Sequence, residues 1–246
     1  MAGHNKWSKV KHIKAKTDAV KGKAFSKAAR EITIAAKQGG GDPDMNAALR
    51  LALQKAKDVN MPKDNIKRAI EKGVGGGDGD ALEEITYEGY APGGIAVLIR
   101  ALTDNKNRTV PNVRAALTKA GGQLANPGSV SYLFDKKGVI VFDSDSNSEQ
   151  IMNVAIESGA DDVDVQDDGY VEVVTEPDQF EQVVTAFNTE NITYMDATVQ
   201  MVPQTRILLD LDKAKGFIKL IDKLEEDDDI QEVFHNADVP DEALEI

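Results

Sequence analysis

From Ala24 to Gly40 the apolar positions recur at helical spacing. At about 100° per residue, Phe25, Ala29, Ile32 and Ala36 fall in one narrow arc. Lys23, Lys27, Arg30 and Lys37 fall opposite them. This is an amphipathic helix with an apolar and a basic stripe, ended by Gly39, Gly40 and Gly41. The apolar stripe is expected to pack on neighbouring helices, leaving the basic stripe free to meet phosphates. A second helix is expected from Asp44 to Val59, with Leu49, Ala52, Leu53 and Ala56 inward. Pro62 suits the first turn of a short third helix that buries Ile66, Ala69 and Ile70, with Gly73 as its stop. Residues 22–72 thus read as a small helical bundle. Residues 1–21 lack an apolar stripe and read as a mobile arm.

GVGGGDGD, residues 73–80, reads as an inter-domain linker. As a phosphate loop it fails, because no Gly-Lys-Ser/Thr follows and it comes after a helix. Beyond it the hydrophobic period becomes that of strands. Residues 85–90 and 95–102 flank the hairpin loop APGG, residues 91–94. A helix over 108–120, with Thr109 as N-cap, and a strand over 129–134 follow. Then come a strand at 139–142, a helix at 148–158, strands at 163–165 and 170–174 around a turn ending in Asp-Gly, a helix at 177–188 and a strand at 193–202. That order is βαββαβ, the ferredoxin-like arrangement. A further helix at 211–224 and strand at 230–234 do not belong to that finished unit and are expected to return to the sheet begun at Ile85. The fold class is α+β: an N-terminal helical bundle followed by two α/β domains, one ferredoxin-like and inserted into the other. The expected domains are 1–75, 80–135 plus 204–246, and 136–203.

Charge changes this picture. The 246 residues carry a net charge of −13. Residues 1–72 hold 17 Lys+Arg against 7 Asp+Glu, a balance of +10. Residues 73–246 hold 12 against 35, a balance of −23. GHNKWSKVKHIKAK, residues 3–16, packs five lysines, two histidines and the one tryptophan with no acid among them. A basic segment on an acidic body points to an anionic partner. No apolar run approaches the roughly 18 residues of a membrane span. The basic start has no apolar h-region behind it, so it does not read as a signal peptide. A cytoplasmic protein is expected.

Candidate chemistry is sparse. With no cysteine there is no thiolate ligand or nucleophile. His4, His12 and His235 form no cluster in sequence, and no G-x-S-x-G elbow occurs. Asp164 to Thr175 starts like a calcium loop but ends without the required Glu. EEDDD, residues 225–229, reads as a solvated helix end. No catalytic residue, metal ligand, cofactor or obligatory small molecule is expected. Only TDNKNRT, residues 103–109, stands out in the acidic part. It sets Lys106 and Arg108 at a helix N-terminus, as an anion site or as an ordinary polar loop.

GHNKW, KGKAFSK, QGGGDP, NMPKDNIKRAI, YEGYAPGG, DNKNRT and GSVSYLF closely resemble the YebC/PmpR family, in order along essentially the whole chain. Asn5, Ile13 and Ala91 depart from the usual pattern. The resemblance implies a helical N-terminal domain with two α/β domains, and a probable transcriptional regulator that binds DNA. Its alternative implication is a translation factor that binds ribosomal RNA and relieves stalling at proline-rich stretches. In either case the function is non-enzymatic and the partner is nucleic acid, with the ribosome in the second. The expected phosphate contacts are Lys6, Lys9, Lys11, His12, Lys14, Lys16, Lys21, Lys23, Lys27 and Arg30, with Lys106 and Arg108 secondary. Trp7 would stack on an unpaired base or anchor the arm to the bundle. Lysines outnumber arginines in residues 1–72 by 14 to 3, which suits backbone contact more than base reading.

Overall fold

A computed structural model describes residues 18–75, 82–167 and 169–243, without the side chains of 18–21 and 241. The chain forms two compact units. The first takes in the described residues up to Ser131, then Leu209–His235 and those from Val239 on; the second is Tyr132–Leu208 with Asn236–Asp238.

The first unit opens with three helices: α1 (Asp18–Gly39), α2 (Ala47–Asp58) and α3 (Lys63–Val74). Helix α1 begins six residues before the expected Ala24. Ala28, Ile32, Ala35 and Ala36 meet Leu49, Ala52, Ala56 and Ala69 in one buried cluster. Asn46, itself buried, joins α1 to α2. Its Oδ1 accepts from the Leu49 amide at 3.0 Å as an N-cap, and its Nδ2 donates to the Ala35 and Gly40 carbonyls at 2.8 Å. Pro62 is the N-cap of α3, one position before the expected place. Gly73 does not stop α3, which runs through it to Val74. The reason is contact with α1: a Cβ on Gly73 would lie 2.5 Å from the Thr33 carbonyl oxygen.

An antiparallel sheet follows. Strands β1 (Glu83–Ala91) and β2 (Ile95–Thr103) pair from Glu83↔Thr103 to Ala91↔Ile95. Their hairpin turns at Gly93 and Gly94, both at positive φ, where a side chain would be strained. Helix α4 (Lys106–Lys119) starts two residues before the expected Arg108. Its N-cap is Asn105, whose side chain accepts from the Arg108 amide; Thr109, the expected cap, is inside the helix. A short β3 (Gln123–Ala125) pairs with β1.

The strand expected over 129–134 does not form. A 3-10 turn covers Ser131–Leu133 instead. The buried Glu88 carboxylate accepts from the amides of Gly128, Val130 and Ser131 at 2.6, 2.7 and 3.0 Å, which binds this segment as a loop. Burial works against that charge, but these bonds outweigh it and hold the Glu88 carboxyl below its ordinary range.

Helix α7 (Leu211–Glu225) leads to β9 (Ile230–His235), which pairs antiparallel with β2. The sheet order is β3-β1-β2-β9. Leu117 of α4 lies over Gly89 and Val97. Arg100, on the face opposite Val97 by strand alternation, meets Glu31 of α1. Helices α4 and α7 thus pack against the sheet, and α1 reaches the face that carries Arg100 through Glu31.

The second unit holds β4 (Phe134–Phe142), α5 (Ser148–Ser158), β5 (Asp162–Val165), β6 (Val171–Thr175), α6 (Phe180–Thr189) and β7 (Asp196–Pro203). All pairs are antiparallel and the order is β5-β6-β4-β7. This is the ferredoxin-like βαββαβ arrangement, with β4 longer than the expected 139–142. Ile140, Phe142, Val171 and Val173 of the sheet pack on Ile151, Phe180, Val183 and Phe187 of the helices. Phe142 and Phe187 meet edge to face at 4.8 Å. Two further strands, β8 (Ile207–Leu208) and β10 (Ala237–Asp238), pair in parallel.

One buried acid here makes a pH-dependent prediction. Glu172 faces Asp164 directly across β5 and β6. Burial, and then the charges of Asp164 and Asp162 against the opposing pull of Arg206, push its carboxyl up to about 7. The folded state therefore keeps a proton that the unfolded chain loses above its ordinary value of about 4.3. Stability from this group is complete below that value and is lost as pH rises through 7. Glu172→Gln should match the parent near pH 4 and exceed it by up to about 3 kcal/mol at pH 8. Urea denaturation at the two pH values checks this; an equal difference at both contradicts it.

Candidate nucleic-acid interface

Lys6, Trp7, Lys9, Lys11, His12, Lys14 and Lys16 lie outside the described residues. Lys21 is in α1, but its side chain is not described. The remaining candidates all lie in the first unit, and each is engaged with its own chain.

Helix α1 has two working faces. One packs on α2 and α3. On the other, Ile34 is buried with Leu82 and Leu102 beyond the glycine-rich segment. The basic stripe lies beside this second contact and is not free. Lys23 Nζ donates to the Glu226 carbonyl and Lys27 Nζ to the Glu225 carbonyl, both at 3.1 Å. These carbonyls close the C-terminal end of α7, where cations are favoured. Arg30 donates to the Leu102 carbonyl at 2.7 Å and to Asp229 at 2.6 Å. Lys37 is exposed.

Asp229 is the centre of this site. Its side chain is only 2% exposed. Arg30 reaches it from α1 and Arg108 from α4, the latter through Nε at 3.1 Å and Nη2 at 2.7 Å. Thr103 and Thr109 add hydroxyl donors at 3.1 and 2.8 Å. Burial alone would raise the Asp229 carboxyl; the bonds from Arg30, Arg108 and Thr109 win and hold it below the usual carboxylate range. Asp229, with Asp104 after it, in turn keeps the Arg108 guanidinium protonated well above its ordinary limit. Two guanidinium groups and two hydroxyls converging on one pair of oxygens is an anion site, and here the anion is the chain's own carboxylate.

Reading EEDDD as a solvated helix end is therefore corrected at its last residue. Nothing beside Asp229 in sequence marks it: Arg30 is 199 positions away and Arg108 is 121. Helical periodicity finds Arg30 but not its partner.

Lys106 pairs with Glu83, both more than half exposed. A second ion cluster lies on the sheet. Arg100, 20% exposed, joins Glu31 of α1, Glu84 of β1 and Glu232 of β9. Lys55 of α2 reaches Glu232 at 3.4 Å. The basic helices are thus tied to the acidic sheet by charge at several points.

Fold and site together define a two-unit α+β protein, its basic N-terminal helices ion-paired to an acidic α/β body. The chain belongs to the TACO1/YebC family. Residues 5–76 match the family's N-terminal domain and residues 82–237 its second and third domains. A probable transcriptional regulatory protein of Geobacter sp. (strain M21) is 50% identical over 245 residues, covering 100% of this chain and 99% of that one. One from a Nitratiruptor species is 53% identical over 236 residues, covering 96% and 99%. Among solved structures, a conserved hypothetical protein of Aquifex aeolicus matches with a TM-score of 0.84 and 42% identity, covering 92% of this chain and 93% of that one.

Proposed function

We propose that this chain is a non-enzymatic, cytoplasmic regulator of gene expression that binds DNA through its basic N-terminal segment. The observation that carries this reading is the charge division, +10 in residues 1–72 against −23 in the remainder. The naming of its relatives as probable transcriptional regulatory proteins supports it.

Because Lys23, Lys27 and Arg30 are engaged internally, the first phosphate contacts fall to the residues before them. Lys6, Lys9, Lys11, His12, Lys14 and Lys16, with Lys21, neutralise the backbone, and Trp7 stacks where a base is unpaired. At Lys106 and Arg108 a phosphate competes with Glu83 and Asp229, so these form a secondary contact. The acidic body repels nucleic acid elsewhere and makes the basic end lead.

The test is crosslinking in cells followed by sequencing of bound DNA and RNA. The expected product is promoter DNA. Ribosomal RNA in its place would replace transcription by translation, a target that the excess of lysine over arginine also suits. Recovery of neither nucleic acid would end the proposal.

A further inference from the structure

In the first unit a groove of about 920 Å³ runs between α4 and α7. Ala116 and Ala120 line it from the α4 side, Phe217 and Leu220 from α7. Gly216 lines it too, and a Cβ there would meet nothing within 4 Å. Five lysines surround this apolar floor: Lys23, Lys119, Lys213, Lys219 and Lys223. Among the described residues only two acids, Glu226 and Asp227, line it with them. Acids outnumber bases 35 to 12 from residue 73 on, so the groove inverts its neighbourhood's charge. Lys213 and Lys223 bridge to Asp210 and Glu226 at 2.7 and 2.9 Å, but these pairs are exposed and hold little energy. Lys119 and Lys219 are exposed on the two helices.

We infer that this groove docks an amphipathic helix with acidic flanks, presented by a protein partner. The apolar floor takes the helix's hydrophobic stripe, as in other helix-in-groove contacts. The lysine stems lie along apolar surface while their ammonium groups meet the flanking acids. A nucleic-acid strand fits this groove less well. Among the described residues Phe217 is the one aromatic ring that lines it; at 2% exposed it has no face to offer a base, and the apolar surface open to a ligand is that of Ala115, Ala116 and Ala120.

The test uses the full chain and a fluorescent two-heptad peptide with leucines at helical spacing and glutamates on both flanks. Saturable binding is expected, with none to the same peptide carrying lysines for glutamates. Lys119→Glu/Lys219→Glu should weaken the acidic peptide by about tenfold or more. Gly216→Glu, placed in open space, should do the same without disturbing the fold, as circular dichroism will show. No saturable binding overturns the inference. So does equal affinity for parent and both variants. A single-stranded oligonucleotide that binds the groove in the peptide's place, losing affinity in Lys119→Glu/Lys219→Glu, also overturns it.

Discussion

Replacing Asp229 by alanine will lower the unfolding free energy by about 3 kcal/mol, the low end of the cost of orphaning a buried ion pair. The carboxylate is 2% exposed and accepts from Arg30, Arg108, Thr103 and Thr109. Alanine leaves the two hydroxyls without this acceptor and the Arg30 guanidinium, 23% exposed, without its counter-charge. Arg108 is 47% exposed, so water re-solvates it and the effect stays at the lower end. The loss should appear first as faster amide exchange in α1, which Arg30 ties to the sheet. Asp229→Asn keeps the volume and should fall between the two. Acid should imitate the substitution. The folded carboxyl lies below its unfolded value, so its contribution is present above about pH 4 and is lost as pH falls through the folded value. Urea denaturation at neutral pH decides the matter; a loss below about 1 kcal/mol would mean the cluster is only a surface network.

The second large effect concerns binding. Lys9→Ala/Lys11→Ala/Lys14→Ala/Lys16→Ala should weaken association with every duplex sequence to the same degree. If each lysine meets one phosphate, four counterion releases are lost, on the order of 10³-fold in affinity at about 0.1 M salt. The urea midpoint should not move. A loss confined to one sequence would instead make these lysines base readers, a role for which their point charge is poorly suited.

Much of the architecture can be read from periodicity. The apolar stripe of α1 and the pattern of βαββαβ are local features, repeated over enough residues to be unambiguous. The hairpin over 91–94 is legible because Gly93 and Gly94 take positive φ that few other residues tolerate. What escapes is set by distant partners. Val130, Tyr132 and Leu133 read as a strand, yet Glu88, some forty positions earlier, captures the amides that a ladder would have used. Strand β3 is three residues long, too short to carry an alternation, and forms because β1 offers it an edge. Gly73 looks like a helix stop because the sequence does not show α1 lying against it. The candidate site follows the same rule. Periodicity gathers Lys23, Lys27 and Arg30 on one face, but a face with charge reads alike whether it meets solvent, phosphate or carboxylate. Only the fold brings the end of α7 and Asp229 beneath it.

In the proposed binding the basic residues up to Lys21 grip a nucleic-acid backbone, while Lys23, Lys27 and Arg30 hold the molecule together. The direct measurement is the salt dependence of duplex binding by the parent and by Lys9→Ala/Lys11→Ala/Lys14→Ala/Lys16→Ala. On B-DNA each lost phosphate contact lowers the log–log slope by about 0.9, so the variant should be shallower by about 3 to 4. An unchanged slope would contradict the claim.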